Sequence, residues 1–378
     1  MRVHRSKVRD RHLFADWIKM PTTAEGPNNL GFSDSSDVRL PFVSVLMPVR
    51  NEADFIERSL GSVLTQSYPH ARLEIIVSDG ASTDETVELI RDLADRTDIP
   101  IRTIQNPKRI APSALNLAIA HARGDIFVRV DGHCEIDPDY VANCVKLLTE
   151  GRAEGVGGPI ETIGVGPQSK AIAIAMSSKF GVGGSAFRTV NDREMYTDSV
   201  AFPGYTRKIV ERAGPFNEEL VRNQDDEYNY RIRKLGGRIL LSPEIRSKYY
   251  SRSTFRSLWN QYFQYGYWKV RVFQLHPRQL SIRQFIPFFF VSTILALAIL
   301  SPFFGTALIL LMVVAAVYLG SCFLASVILV GGNIRLIPRL IYSFCILHFS
   351  YGLGSIFGLV ALRDRWRGSD LVPLDTPQ

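Results

Sequence analysis

Cysteine is scarce in this chain, and the placement of the few that occur argues against two common kinds of site. Of the four, Cys134 and Cys144 lie in the middle of the chain, whereas Cys322 and Cys345 lie within long apolar runs. No pair has the spacing of a zinc site, and nothing suggests a disulfide framework. The soluble part is therefore predicted to reside in the cytoplasm.

An apolar leader is also lacking near the N-terminus, where basic residues cluster. The stretch up to residue 40 shows no sustained apolar period, so we expect no signal peptide and a basic, mobile or peripheral arm over residues 1–40. Insertion into a membrane would have to use C-terminal segments.

Basic residues outnumber acidic residues, so the formal net charge is +7. The excess basic residues cluster at the two ends of the chain and in residues 246–283. Because these clusters flank hydrophobic segments, they fit anionic lipid headgroups better than nucleic acid. We therefore predict membrane lipid as a partner and no nucleic acid. Nucleic-acid binding stays a minor alternative.

Long apolar runs are confined to the last quarter of the chain, over residues 285–300, 306–330 and 340–362. Each approaches or exceeds the roughly 20 residues that cross a bilayer. This contrast predicts a soluble domain over residues 41–250, an amphipathic interface segment over 251–284, about three transmembrane helices over 285–362, and a polar tail over 363–378.

The basic residues around the last run leave its topology open. With a cytoplasmic soluble domain, Arg335 and Arg339 fall inside, as the positive-inside tendency prefers. Three crossings would put the arginines after the third run outside, against that tendency. Either the last run, interrupted by Gly352, Gly354 and Gly358, is re-entrant, or the rule is violated.

Residues 253–273 combine aromatic and basic side chains. Such a segment suits a helix at the headgroup level of a membrane. An ordinary packed helix explains the aromatic stripe equally well, so both interpretations stand.

Apolar strands and amphipathic helices alternate from residue 42 to residue 130, which predicts an α/β fold with a doubly wound parallel sheet. Further along, we expect a helix over 170–180, a flexible loop over 181–191, a strand over 198–202 and a helix over 225–235.

The predicted strand 126–130 delivers Asp131 and His133 to its C-terminal end, where ligands bind in open α/β sheets. A carboxylate and an imidazole at this place can hold a divalent cation against a diphosphate. The alternative is an Asp-Gly turn followed by a surface histidine.

Several ordered motifs between residues 42 and 242 resemble the family 2 inverting glycosyltransferases. The resemblance implies a GT-A-type nucleotide-sugar-binding fold for the soluble domain. The motifs are VSVLMPVRNE at 43–52, IVSDGASTD at 76–84, NPKR at 106–109, SALN at 113–116, DGH at 131–133, AFPGYTR at 201–207 and NQDDEYNYR at 223–231.

The resemblance implies roles for residues of these motifs. It implies that Asp225 is the catalytic base. The alternative is that Asp225 has no catalytic role, because the helix dipole alone favours acidic residues at such a helix start. Asp131 and His133, which replaces the second aspartate of the family's Asp-x-Asp motif, would hold Mn²⁺ or Mg²⁺. The resemblance assigns nucleotide-sugar binding to Pro48, Arg50, Glu52, Asp79, Arg109, Asn116 and Asp131. It assigns Gly204, Tyr205, Gln224 and Asp226 to the sugar or acceptor side.

The C-terminal part of the sequence favours addition of one sugar over synthesis of a polymer. Processive synthases of this family carry Gln-x-x-Arg-Trp, and the local match at residues 261–265 lacks both the arginine and the tryptophan. The chain is most similar to the succinoglycan-type membrane glucosyltransferases of exopolysaccharide biosynthesis, which act at the cytoplasmic side of the inner (plasma) membrane.

This resemblance implies a UDP-sugar donor, a lipid-linked saccharide acceptor on polyprenyl diphosphate, and transfer of a hexose, with glucose favoured. A processive β-glycan synthase and a non-catalytic nucleotide-sugar-binding membrane protein are the alternatives.

Overall fold

The computed structural model describes residues 40–251, 253–279 and 282–368. The predicted N-terminal arm, apart from Leu40, and residues 369–378 of the polar tail lie outside this part. The described strands are β1 (Val43–Val49), β2 (Leu73–Asp79), β3 (Ile101–Gln105), β4 (Ile126–Arg129), β5 (Cys134–Ile136), β6 (Gly155–Gly158), β7 (Ile160–Ile163), β8 (Met195–Tyr196), β9 (Ala201–Thr206), β10 (Ile239–Leu241) and β11 (Ser247–Tyr250).

Helices alternate with these strands and then continue alone to the end of the described chain. They are α1 (Ile56–Leu64), α2 (Thr86–Ala94), α3 (Ala111–His121), α4 (Tyr140–Thr149), α5 (Gly166–Met176), α6 (Lys179–Val182), α7 (Ala186–Thr189), α8 (Arg207–Ala213), α9 (Gln224–Lys234), α10 (Phe255–Leu275), α11 (Ile286–Leu300), α12 (Gly305–Leu329) and α13 (Ile337–Ala361).

The first four strands form the parallel half of the main sheet, in the order β3-β2-β1-β4. Successive side chains of β1 enter opposite cores: Val45 and Met47 belong to one apolar cluster, and Leu46 to the other. Because both faces of the strand are covered, its sequence is a continuous apolar run rather than an alternating one. The predicted parallel α/β arrangement is confirmed for this half.

The second half of the sheet is mixed and lies beyond the stretch for which a parallel arrangement was predicted. β9 lies between β4 and β6 and is antiparallel to both, and the sheet continues through β10 to β8. The strand expected over 198–202 runs instead over Ala201–Thr206. The loop expected over 181–191 contains α7 and the end of α6, and a separate sheet of β5, β11 and β7 was not predicted.

The C-terminal helices include three segments long and apolar enough to cross a membrane, Arg283–Leu300, Gly305–Leu329 and Ile334–Ala361. The last is a continuous helix at the glycines that suggested a break. A Cβ at Gly354 would overlap the carbonyl oxygen of Phe263 in α10. These glycines therefore serve close helix packing, as small residues do between membrane helices.

We expect Gly354→Ala to destabilise the protein by about 1–3 kcal/mol, because the added methyl group forces α10 and α13 apart. Gly320→Ala is the matched control, since Gly320 lies within α12 and a Cβ there meets nothing within 4 Å. Thermal unfolding in detergent should show a lower Tm for the first variant only. Equal Tm values would contradict the close approach of the two helices.

Candidate active site

The loops beyond the carboxyl ends of the parallel strands hold non-glycine residues in the left-handed backbone region. Asn51 follows β1, Ala81 follows β2 and Arg109 follows β3, with φ angles of 53°, 55° and 58°. Asn223, immediately before α9, has a φ of 62°. Such conformations are unfavourable for most residues and concentrate at functional sites. This edge of the sheet is therefore the candidate site.

Hydrogen bonds between the first two loops fix the floor of the site. The backbone N–H of Asn51 donates to the Ser82 hydroxyl at 2.9 Å, and the Asn51 side-chain oxygen accepts from the Thr83 N–H at 2.8 Å. The buried Asp79 carboxylate accepts from the Ser82 hydroxyl at 2.6 Å. Asp79 thus orders the loop next to which a nucleoside would lie, and its predicted contact with the nucleotide stays a prediction.

Arg129, the last residue of β4, joins the two carboxylates to which chemistry was assigned. Its Nε and Nη2 donate to the two carboxylate oxygens of Asp131 at 2.6 and 3.0 Å, and its Nη1 donates to Asp225. Only 9% of the Arg129 side chain is exposed. An unpaired buried guanidinium would be costly. The two ion pairs of Arg129 satisfy it and hold Asp131 and Asp225 next to each other.

Asp225 lies in the first turn of α9, with 35% of its side chain exposed at the cleft. The surrounding protein displaces water from much of the carboxylate, which raises its pKa, and Arg129 opposes that rise while Asp131 adds to it. A carboxylate with a raised pKa that still reaches solvent is suited to accept a proton.

The Glu52 side chain passes Gly132 and contacts the His133 ring. The His133 Nδ1 lies 2.9 Å from Glu52 Oε1, and the ring meets the Tyr249 ring edge-on at 5.3 Å between centroids. A Cβ at Gly132 would lie 2.8 Å from Glu52 Cγ, so only glycine lets the Glu52 side chain pass. A carboxylate on one imidazole nitrogen, which leaves Nε2 to bind a cation, is the usual support for a metal-binding histidine.

The chain is similar to known glycan-building enzymes. The family model described as Glycosyl transferase family 2 matches residues 44–214. The succinoglycan biosynthesis protein ExoA of Rhizobium meliloti is 33% identical over 64% of this chain and 73% of its own length. The chain belongs to glycosyl transferase family 2. The membership predicted from the ordered motifs is therefore confirmed.

Two further proteins are similar to this family 2 glycosyltransferase, one in sequence and one in structure. A Methanococcus voltae enzyme named dolichyl N-acetyl-alpha-D-glucosaminyl phosphate 3-beta-D-2,3-diacetamido-2,3-dideoxy-beta-D-glucuronosyltransferase is 27% identical over 68% of this chain and 81% of its own length. The solved structure of the mannosyltransferase PcManGT from Pyrobaculum calidifontis, in complex with GDP-Man and Mn²⁺, aligns with a TM-score of 0.55 at 22% identity over 92% of this chain and 93% of its own. The predicted GT-A fold is confirmed.

A divalent cation would have two protein ligands in this glycosyltransferase, Asp131 and His133. Within residues 40–251, 253–279 and 282–368, no three His, Cys, Asp or Glu side chains converge on one point. The orientation of His133 fits a cation, and each Asp131 oxygen keeps a lone pair beside its bond to Arg129. The remaining ligands would be water molecules or oxygens of a bound diphosphate.

Four predicted site residues make close contacts with other parts of the protein. Tyr205 is 4% exposed, and its hydroxyl donates to Asn229 at 2.6 Å in the core. Gly204 faces α4, where a Cβ would lie 3.2 Å from the Cβ of Cys144. Both residues lie in β9, an inner strand of the sheet, and their predicted place on the sugar or acceptor side stays a prediction.

The other two are Asn116 and Asp226. The Asn116 amide donates to the Phe216 carbonyl at 3.0 Å and accepts from its N–H at 2.8 Å, so it ties α3 to the loop before α9. Asp226 forms an ion pair with Lys269 of α10 rather than facing an acceptor. Both are better explained as positioning residues than as ligand contacts.

The remaining predicted residues differ in exposure. Arg50 and Arg109 are exposed on the loops beyond β1 and β3, where a donor could meet them, and Pro48 is half-buried in β1. Gln224 is 6% exposed at the start of α9. Their roles in binding stay predictions.

Sequence reasoning missed Arg129 and Lys269. Arg129 is the one charge in an otherwise apolar strand, a signal that it must be paired, but nothing local shows that its second partner lies 96 residues away. Lys269 is buried against Asp226, whose carboxylate raises the Lys269 pKa above its usual value even though burial alone would lower it. In the sequence, Lys269 is one of several basic residues in the segment 253–273, and nothing there distinguishes it from the others.

Proposed function

We propose that this protein is a membrane-anchored inverting hexosyltransferase that uses a UDP-sugar donor and a polyprenyl-diphosphate-linked saccharide acceptor in polysaccharide assembly. UDP-glucose is the first donor to test. The catalytic domain faces the cytoplasm and the helical segment anchors it in the inner (plasma) membrane. The observation that carries the proposal is the buried Arg129, which pairs with both Asp225 and Asp131 and so holds the proposed base beside the proposed metal ligand.

In the proposed reaction, Asp225 accepts the proton of an acceptor hydroxyl as that oxygen attacks the anomeric carbon. The new C–O bond forms while the bond between the anomeric carbon and the diphosphate breaks, and UDP leaves with the electron pair. A single displacement inverts the configuration. Burial raises the pKa of Asp225, and the paired Arg129 opposes that rise, which favours the deprotonated form that this step requires.

A cation held by Asp131 and His133 would neutralise charge that develops on the leaving diphosphate. Glu52 fixes the tautomer and direction of His133, and Arg129 fixes the Asp131 carboxylate. Mn²⁺ and Mg²⁺ are the two cations to test, because a carboxylate suits both and an imidazole shifts the preference toward Mn²⁺.

Contacts between the catalytic motif and the membrane-side helices support a lipid-linked acceptor. Asp226 pairs with Lys269 of α10, and Glu227 accepts from His276 just beyond that helix at 2.9 Å. Asp225 therefore lies one residue from an ion pair with the helix that leads into the apolar segments. An acceptor hydroxyl carried on a membrane lipid would arrive at this end of the site.

The proposal is tested with purified full-length protein, labelled UDP-sugars and polyprenyl-diphosphate saccharides, with and without a chelator. We expect addition of one sugar, restored after chelation by Mn²⁺ or Mg²⁺. Long polymer would identify a processive synthase instead, and UDP-sugar binding without transfer would identify a binding protein. Transfer that is unaffected by chelation would remove the metal role from Asp131 and His133.

Replacing Glu52 tests the metal side separately. We expect Glu52→Gln to raise the Mn²⁺ concentration at half-maximal activity by about 10- to 100-fold, because His133 loses the carboxylate that orients it. Glu57→Gln, an exposed glutamate of α1, is the control and should leave that concentration unchanged. An unaltered Mn²⁺ requirement in Glu52→Gln would show that His133 is not a ligand.

A further inference from the structure

The segment that leads into the proposed base has no helix or strand. It runs over residues 214–223, between α8 and α9, and its start is held by the soluble domain, because Asn116 of α3 donates to the Phe216 carbonyl at 3.0 Å. The later turns of α9 are also held there, since Ile232 is completely buried in one of the apolar clusters of the domain. The end of the segment and the first turn of α9, which carries Asp225, have other partners.

Three contacts join this end of the segment to α10, the helix that precedes the apolar segments. They involve residues on both sides of Asp225 and fall within two turns of α10. The proposed base is therefore flanked by contacts to one helix outside the sheet. The contacts are a hydrogen bond from Arg222 to the Gln264 side chain at 3.1 Å, a hydrogen bond from the Asn223 amide to the Tyr265 carbonyl at 2.9 Å, and the ion pair between Asp226 and Lys269.

Asn223 makes an unusual contact for its position. It occupies the N-cap of α9, where an asparagine side chain commonly accepts a hydrogen bond from an N–H group of the first turn. Thr206 and Thr254 do this at the starts of α8 and α10, whereas the Asn223 side chain makes no such bond. The Asn223 backbone is also left-handed, with φ 62° and ψ 16°, a conformation that most residues avoid. Asn223 thus forgoes a helix cap while its amide reaches α10.

The carbonyl that Asn223 reaches lies where α10 packs closely on α13. A Cβ at Gly266, the residue after Tyr265, would lie 2.0 Å from the Tyr351 carbonyl oxygen, and the Ser355 hydroxyl donates to the Gly266 carbonyl at 3.3 Å. A glycine lets two helix backbones approach to this distance, whereas a larger residue would separate them. The position of the Tyr265 carbonyl is therefore tied to the packing of α10 on α13.

We propose that Asn223 is a positioning residue for Asp225, and that through it the helices α10 and α13 set the place of the proposed base beside Arg129. A continuous series of contacts runs from α13 through α10 to Asn223, along the chain to Asp225, and from there to Arg129. The inference rests on the proposed function, since it takes Asp225 as the base. It adds that the rate of transfer depends on how α10 is seated on α13.

Asn223→Gly tests this role in the full-length protein, because glycine keeps the left-handed conformation and loses the amide that reaches α10. We expect kcat to fall by about 10- to 100-fold, since a small misplacement of a reacting group has effects of this size, while the KM for the UDP-sugar stays unchanged. Arg212→Ala is the matched control. It removes a hydrogen bond of 3.0 Å to the Leu235 carbonyl at the other end of α9 and should leave kcat unchanged.

A double-mutant cycle with Arg129→Lys separates positioning from a general loss of structure. Because both residues are proposed to act by placing Asp225, the double variant should lose less kcat than the product of the two single losses. Losses that simply multiply would show that Asn223 supports only the fold. An unchanged kcat in Asn223→Gly would equally overturn the inference.

Amide hydrogen exchange supplies a readout that does not depend on transfer. In Asn223→Gly we expect faster exchange in the first two turns of α9 than in the unaltered protein, and no such change in Arg212→Ala. Absence of transfer by the unaltered protein would refute the proposed function, whereas unchanged exchange in Asn223→Gly would refute the hold of α10 on the start of α9. Thermal unfolding in detergent checks that each variant is folded.

Discussion

Asp225→Asn should lower the rate of sugar transfer by about 10²- to 10⁴-fold while leaving UDP-sugar binding intact, because an amide cannot accept the acceptor proton. The substitution preserves shape, and the amide oxygen still accepts a hydrogen bond from Arg129. The measurement is kcat with a lipid-linked acceptor, together with donor affinity by calorimetry. The loss should therefore appear in kcat rather than in the donor Kd.

Asp226→Asn is the matched control within the same motif. It weakens the ion pair with Lys269, so we expect lower stability and a smaller loss of kcat than in Asp225→Asn. Equal rates for Asp225→Asn and the unaltered enzyme would remove Asp225 as the base. A larger loss of kcat in Asp226→Asn would move that role to Asp226.

The motif order in the sequence was sufficient to predict the family and half of the sheet. β1, β2 and β4 are mostly apolar runs ending at polar residues, so both their burial and their functional ends can be predicted locally. The position of β9 could not be, because it depends on pairing with β4 and β6, which are distant in sequence. That pairing places Gly204 and Tyr205 in the interior of the sheet, which the local sequence does not show.

Spacing alone was insufficient for the packing of the helical segment. Apolar length predicted three spans, and the structure has three helices long and apolar enough to cross a membrane, the last of which also packs on α10 and on the domain. Gly354, which suggested a break, allows that packing. Length and hydropathy cannot distinguish burial in protein from burial in lipid, whereas the contacts of each helix can.

Arg129→Met should lower both stability and transfer, because it leaves Asp131 and Asp225 without their shared counter-charge. Breaking a buried ion pair costs about 3–5 kcal/mol. Arg129→Lys keeps the charge but loses the paired bonds to Asp131, so we expect a smaller effect on both. Lys146→Met is the control away from the cleft, since the Lys146 and Glu244 side chains of its ion pair are 54% and 52% exposed.

The pH profile separates a positioning role of Arg129 from a merely structural one. Arg129 lowers the pKa of Asp225 against the rise caused by burial, so its removal should raise that pKa further. The base must be deprotonated to act, and the acid limb of kcat should therefore move to higher pH in Arg129→Met and less in Arg129→Lys. A reduced kcat with an unmoved acid limb would show that Arg129 supports only the fold and that Asp225 ionises independently of it.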